Sequence, residues 1–193
     1  MRWIVVDGID GAGKSTHARW IREHYEARGE SVRVFVHPSS RWVGRMTRRA
    51  LQGKGGAMRA VASVLFILDV LFSLSALKRY SSDCDTLIFV RYIMATAYLP
   101  GRLSRLGYDF FFRLLPVPSR LLLVDIEPET ALRRIAHRDH QREMFENLPS
   151  LIQARDKTLE LAGEDWRIVD NNDDEETSRK RLEAILDGWD RSG

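Results

Sequence analysis

The chain reads as an α/β protein in which a parallel, five-stranded sheet lies between two layers of helices. Two observations carry that reading. Short, continuously apolar runs alternate with longer segments of helical periodicity, and strands apolar along their whole length belong in sheets buried on both faces. A glycine-rich turn also follows the first run directly and leads straight into a helix, the order of a βα unit.

Strands are expected at 3–6, 32–36, 87–90, 121–125 and 166–169, and helices at 15–28, 42–52, 57–79, 92–106, 128–138, 147–162 and 175–189. In the first helix Ala18, Trp20, Ile21 and Tyr25 are spaced to bury one side. Gly29 is placed to cap it, Pro128 suits the first turn of its helix, and Asp173 or Asp174 suits the start of the last. The segment 109–118 is unusually apolar for a connector; it fits no element and reads as a cover over a core or a pocket. The length of 193 residues suits a single domain, 1–193. There is no repeat or low-complexity tract.

Composition narrows the class. Net charge is +3, so the total does not call for nucleic acid. Between Ser31 and Leu68 there is no acidic residue, while Arg33, Arg41, Arg45, Arg48, Arg49, Lys54 and Arg59 fall there. That zone suits small anionic ligands or is a solvated basic face. Cys84 is the only cysteine, which fits a reducing compartment, and a cytoplasmic location is expected. The apolar stretch 57–77 is divided by Asp69 into runs too short for a bilayer. It is expected to be a core or dimer-interface helix, not a membrane span.

The chemistry-bearing motif is Gly8-Ile9-Asp10-Gly11-Ala12-Gly13-Lys14-Ser15-Thr16, the pattern G-x-x-x-x-G-K-[ST] of a phosphate-binding loop. Glycines let the backbone wrap a phosphate chain and turn its N–H groups inward. The helix start adds its positive dipole end. Lys14 is expected to reach the β- and γ-phosphates of ATP, and Ser15 to hold Mg²⁺. Ligands of such sheets bind at the carboxyl ends of the strands. Arg91, directly after the third strand, therefore needs a counter-charge there, either a phosphate or a local carboxylate such as Asp69. Arg41, Arg45, Arg48 and Arg49 fall on one helical face, and Arg41 or Arg45 is a candidate for ligand contact. Arg134, Arg138 and Arg142 recur at four-residue steps leading into a polar lid, 138–147, where mobile arginines can neutralise a moving phosphoryl group. Arg133 reads as a surface residue. The histidines show no metal spacing.

Taken in order, these segments resemble the thymidylate kinase family. The loop from Val6 to Thr16 is close to the family form. Val64-Leu65-Phe66 is similar to the helix segment whose phenylalanine stacks on thymine, and Arg91-Tyr92 to the end of an Asp-Arg-Tyr motif. The stretch 125–135 resembles the fourth strand and lid helix, and Phe145-Glu146-Asn147 and Val169-Asp170-Asn171 also fit. The likeness spans about residues 2–189. It implies a P-loop kinase fold, a homodimer, and phosphoryl transfer from ATP to dTMP. Asp10 would bind the 3′-hydroxyl of the deoxyribose, Phe66 would stack on the base, and Arg91 with Arg41 would hold the acceptor phosphate beside Pro38. Gly8, Asp10, Gly11, Ala12, Gly13, Lys14, Ser15, Thr16 and Arg134 would hold ATP. Gly11 stands where one branch of the family keeps a loop arginine, which assigns the catalytic arginines to Arg138 and Arg142 of the lid. Four places depart from the pattern: Val90 replaces the aspartate of Asp-Arg-Tyr, Val70 the arginine that reads the thymine carbonyl, Val36-His37-Pro38 an Arg-Glu-Pro-like segment, and Ala95 or Thr96 a serine after the Arg-Tyr pair. Asp125 or Asp10 is then the candidate carboxylate near the metal.

Overall fold

A computed structural model describes residues 1–51, 56–80, 83–99, 103–137 and 147–192. The strands are β1 (Arg2–Asp7), β2 (Val32–Val36), β3 (Thr86–Val90), β4 (Arg120–Asp125) and β5 (Trp166–Asp170). They form one parallel sheet in the order β2-β3-β1-β4-β5. The helices are α1 (Lys14–Glu26), α2 (Trp42–Leu51), α3 (Gly56–Tyr80), α4 (Leu103–Leu114), α5 (Pro128–Ala136), α6 (Leu148–Ala162) and α7 (Glu175–Ser192), with a short 3₁₀ turn at Met94–Tyr98.

Alternation along the strands divides the core in two. Ile4, Val6, Ile88, Val90, Leu122 and Val124 face one side, where Ile21 and Tyr25 of α1, Ile135 of α5 and Leu182 and Leu186 of α7 pack against them. Val5, Phe89, Leu121 and Leu123 face the other, against Val70 of α3, Met94, Tyr108 of α4 and Leu161 of α6. Burying a side chain of this size is worth about 1.5–3 kcal/mol. Strand β3, between β2 and β1, is buried along its whole length, while the edge strand β2 is only partly covered.

Every expected strand is present, and six of the seven expected helices match to within a few residues. The helix expected at 92–106 is not there as such. The chain makes the 3₁₀ turn, and Leu99 is then extended at φ −72°, ψ 148°. A residue before proline is pushed out of the helical region, and Pro100 follows. The helix restarts at Leu103 and runs to Leu114, so the apolar segment 109–118 is largely its second half. Tyr108 and Leu115 are buried, and Phe111 and Phe112 pack on the second core. Asp174 does open the last helix: its Oδ1 accepts from the backbone N–H of Thr177 at 2.9 Å.

α1, which follows β1, packs on the first core, whereas the elements after β3 pack on the second. The connections thus part between these adjacent strands and open a crevice at their carboxyl ends. Among the described residues no helix is long and apolar enough to cross a membrane.

Candidate functional site

β1 delivers the glycine loop to that crevice. Gly8, Gly11 and Gly13 take φ of 145°, 83° and 94°, values that L side chains resist. Space excludes side chains as well. A Cβ on Gly8 would lie 2.4 Å from the Val124 carbonyl oxygen, and one on Gly11 would lie 2.6 Å from that of Ala131 in α5. The backbone of α5 therefore leaves no room for an arginine at position 11. Lys14 begins α1 and is buried; its Nζ donates to the carbonyls of Gly8 and Ile9 at 2.8 and 2.6 Å and lies 3.6 Å from Asp10. Ser15 is exposed on the first turn of α1 and Thr16 half-buried. Asn171, just past β5, donates to the Ala12 carbonyl at 2.7 Å, and Arg134 donates to the Asn171 carbonyl at 3.1 Å. Arg134 thus borders the loop, as expected. His17, one turn into α1, is fully buried with Nδ1 3.1 Å from the Gly13 carbonyl. Burial, assisted by Arg134, lowers its pKa to about 4.

Asp7, at the end of β1, is buried and accepts from the backbone N–H groups of Gly8, Tyr92 and Met94 at 3.1, 2.9 and 3.2 Å. Burial raises its pKa against the pull of those bonds and of Lys14. This carboxylate ties the loop to the turn after β3. In that turn Arg91 adopts φ 61°, a left-handed value uncommon for such a residue. Its Nη2 donates to Asp10 at 2.6 Å and its Nη1 to the His37 carbonyl at 3.4 Å. The local carboxylate it meets is Asp10; Asp69 is engaged elsewhere.

His37 follows β2 and is joined to Pro38 by a cis peptide. It is fully buried and lies at the centre of the acceptor-side candidates. The ring of Phe66, on α3, stands edge-on to it at 6.3 Å. Its backbone carbonyl meets Arg91, and its Nε2 lies 2.7 Å from Ser73 Oγ, which also accepts from Arg41 Nη2. Burial lowers the pKa of His37, opposed chiefly by Asp69. Phe66, Pro38, Arg41, Arg91 and Asp10 are therefore brought together. Arg45 and Arg48 donate instead to the carbonyls of Ser40 and Pro38 at 2.7 and 2.8 Å; they staple the loop to α2. Arg133 is exposed and bonds Thr130. Arg138 and Arg142, with the lid up to residue 146, lie outside the described residues.

Two of the departures from the family pattern, Val90 and Val70, are packed inward. Val90 is wholly buried in the first core, and Val70 is 2% exposed in the second. Neither candidate carboxylate is at liberty. Asp125 is held by Arg155 through two bonds of 2.8 Å, with Glu127 on the same guanidinium, and Asp10 pairs with Arg91 and Lys14. Among the described residues no cluster of three metal-ligating side chains exists. Ser15, exposed on the first turn of α1, is the residue that the loop pattern offers to a magnesium ion. Asp7, His37 and Ser73 are missed by sequence reasoning. Asp7 has a faint signal as the residue before the glycine loop, and His37 has one as the residue directly after the second strand; Ser73 has none, because its role comes from long-range contacts.

Known proteins resemble this chain in sequence and in fold. The pattern of the family described as thymidylate kinase matches residues 6–182. A putative thymidylate kinase of Aeropyrum pernix is 32% identical over 149 residues, covering 76% of this chain and 71% of the relative. A probable thymidylate kinase of Archaeoglobus fulgidus is 27% identical over 188 residues, 96% and 95% of the two chains. Among solved structures, the thymidylate kinase of Candida albicans superposes with a TM-score of 0.67 at 18% identity, over 97% of this chain and 92% of that one.

Proposed function

Since this chain belongs to the thymidylate kinase family of phosphotransferases, we propose that it moves the γ-phosphoryl group of ATP to dTMP, giving ADP and dTDP. The observation that carries this is Asp10 of the glycine loop, whose Oδ1 meets Arg91, from the turn after β3, at 2.6 Å and Lys14 at 3.6 Å. A guanidinium that can hold an acceptor phosphate then lies beside the ammonium group that holds the γ-phosphate.

The glycine loop binds the triphosphate through backbone N–H groups and the start of α1. Lys14 Nζ exchanges its two loop carbonyls for β- and γ-phosphate oxygens. A magnesium ion held by Ser15 would supply charge neutralisation. Arg91, with Arg41, fixes the acceptor phosphate in line, Phe66 supports the base, and Asp10 takes the 3′-hydroxyl. Arg134 borders the triphosphate side, and Arg138 and Arg142 of the lid neutralise the group in flight. No general base is required, because positioning and charge neutralisation carry most of such catalysis.

Val70 favours a broader acceptor range as a second reading: its side chain packs into the core, so no arginine reads a base carbonyl from that position. The test is a panel of nucleoside monophosphates with ATP and Mg²⁺. Turnover of dTMP well above a Lys14→Ala background supports the first reading, and comparable turnover of several bases the second. No turnover of any monophosphate overturns both.

The exposed side chains Val61, Val64, Leu68, Leu71 and Phe72 of α3 recur at the three- and four-residue steps of a helix–helix seam. They support a homodimer through α3. Sedimentation of Leu68→Glu as a monomer, with a dimeric parent, would bear this out; a monomeric parent would refute it.

A further inference from the structure

Arg41 is held by two serines that no motif marks. Its Nε donates to Ser39 Oγ at 3.2 Å and its Nη2 to Ser73 Oγ. Each hydroxyl is anchored in turn by a buried group. Ser39 Oγ donates to Asp69 Oδ1 at 2.5 Å, while the backbone N–H of Ser39 donates to Oδ2 at 2.6 Å. Ser73 Oγ lies 2.7 Å from His37 Nε2, and His37 Nδ1 lies 3.3 Å from the Val90 carbonyl. His37, Asp69 and Ser73 are all fully buried.

The proton inventory gives this network one consistent direction. A hydroxyl has a single proton, and a neutral imidazole has one donor and one acceptor nitrogen. A carbonyl only accepts, so Nδ1 of His37 carries the proton toward Val90 and Nε2 accepts; the Ser73 proton, which also has the Asp69 carbonyl within reach at 3.2 Å, goes to this nearer nitrogen at 2.7 Å. Ser73 Oγ is then left to accept from Arg41. The chain runs Arg41 to Ser73 to His37 to the end of β3. Protonation of His37 would reverse its middle link and set a second cation beside the guanidinium; burial acts against that. Packing holds the other side. A Cβ on Gly44 of α2 would lie 2.2 Å from the Ser39 carbonyl oxygen, so the loop carrying Ser39 is pressed against the helix. Among the described residues Nη1 of Arg41 has no hydrogen-bond partner, and the side chain is 39% exposed.

We propose that Ser73 and His37 are positioning residues that lock the Arg41 guanidinium in one rotamer, with its Nη1 edge left for the acceptor phosphate. This rests on the acceptor-site reading given above. A free arginine loses much rotamer entropy when it grips a ligand; here that ordering is complete before binding.

Two measurements test it. In kinetics, Ser73→Ala should raise the KM for the acceptor about tenfold while the KM for ATP stays unchanged. Ser73→Thr, which keeps the hydroxyl, should restore the parent value. In an Arg41→Ala background Ser73→Ala should add nothing; an additive loss, or equal changes in both KM values, overturns the proposal. In the ligand-free protein, nitrogen-15 NMR of the arginine Nε–H groups should show Arg41 ordered in the parent and mobile in both Ser73→Ala and His37→Phe. An Arg41 signal as mobile in the parent as those of surface arginines overturns the proposal whatever the activity. Failure of every monophosphate to turn over would instead remove the functional reading, and the NMR result would still decide the positioning role.

Discussion

At Gly8–Ser15 the backbone shapes the crevice, whereas around Arg41 buried side chains do. On the triphosphate side three glycines take positive φ, two of them, Gly8 and Gly11, pressed against the backbones of β4 and α5, and the groups offered to a ligand are mainly peptide N–H. On the acceptor side His37, Ser39, Asp69 and Ser73 come from two distant segments to hold a single guanidinium. A backbone cradle demands glycine at fixed spacing and tolerates little else. A side-chain network can be rebuilt from many residue types, provided every buried polar group finds a partner. Two of the places where the chain departs from its family, Val70 and Val90, are absorbed by the hydrophobic cores.

The comparison can be broken most directly at Lys14. Lys14→Ala should lower phosphoryl transfer by about a thousandfold or more, roughly 4 kcal/mol, in a steady-state assay. Tm should change little by comparison, because the loop conformation is set by glycines. Retained turnover would show that the triphosphate side does not work as assigned.

A pH titration sharpens the triphosphate side next. His17 binds its proton less well folded than unfolded, with its pKa lowered from 6.5 to about 4. Its contribution is intact above pH 6.5 and is lost as pH falls toward 4, in total about 3 kcal/mol. Chemical denaturation of the parent and of His17→Gln across that window should show a shallower decline in the variant. Equal slopes would mean that His17 does not titrate as its burial implies.

On the acceptor side Arg41→Ala should raise the acceptor KM about tenfold to a hundredfold, up to about 2.7 kcal/mol, with the KM for ATP unchanged. An effect on both substrates would erase the distinction between the halves. The smallest effect is expected outside both. Asp174→Ala removes the cap of α7 and should cost about 1 kcal/mol in Tm-based stability, with both KM values intact.

Legibility follows the same division. β1, β3 and β4 could be read because a strand buried on both faces is mostly apolar, and the edge strands β2 and β5, only partly covered, because each keeps a short apolar run between helical segments. The helix break near Pro100 escaped the periodic pattern, because Met94–Tyr98 and the start of α4 each bury one side and merge into a single helical signal. At the site, Gly8 to Thr16 and Arg91 were readable from position alone, and Arg91 finds its carboxylate in Asp10. Ser73 was not readable: a serine on an apolar helix is unremarkable until Arg41 and His37 are seen to share its hydroxyl.

From the sequence by itself come the parallel α/β architecture, the phosphate-binding loop and the family, because hydrophobic period and glycine spacing are local quantities. Only the tertiary structure decided that Asp7 ties the loop to the Arg91 turn, that Asp125 is taken by Arg155, and that Arg41 is held through Ser39 and Ser73. Those are pairings between residues 2 to 85 positions apart, and a buried polar group selects its partner only once the chain is packed around it.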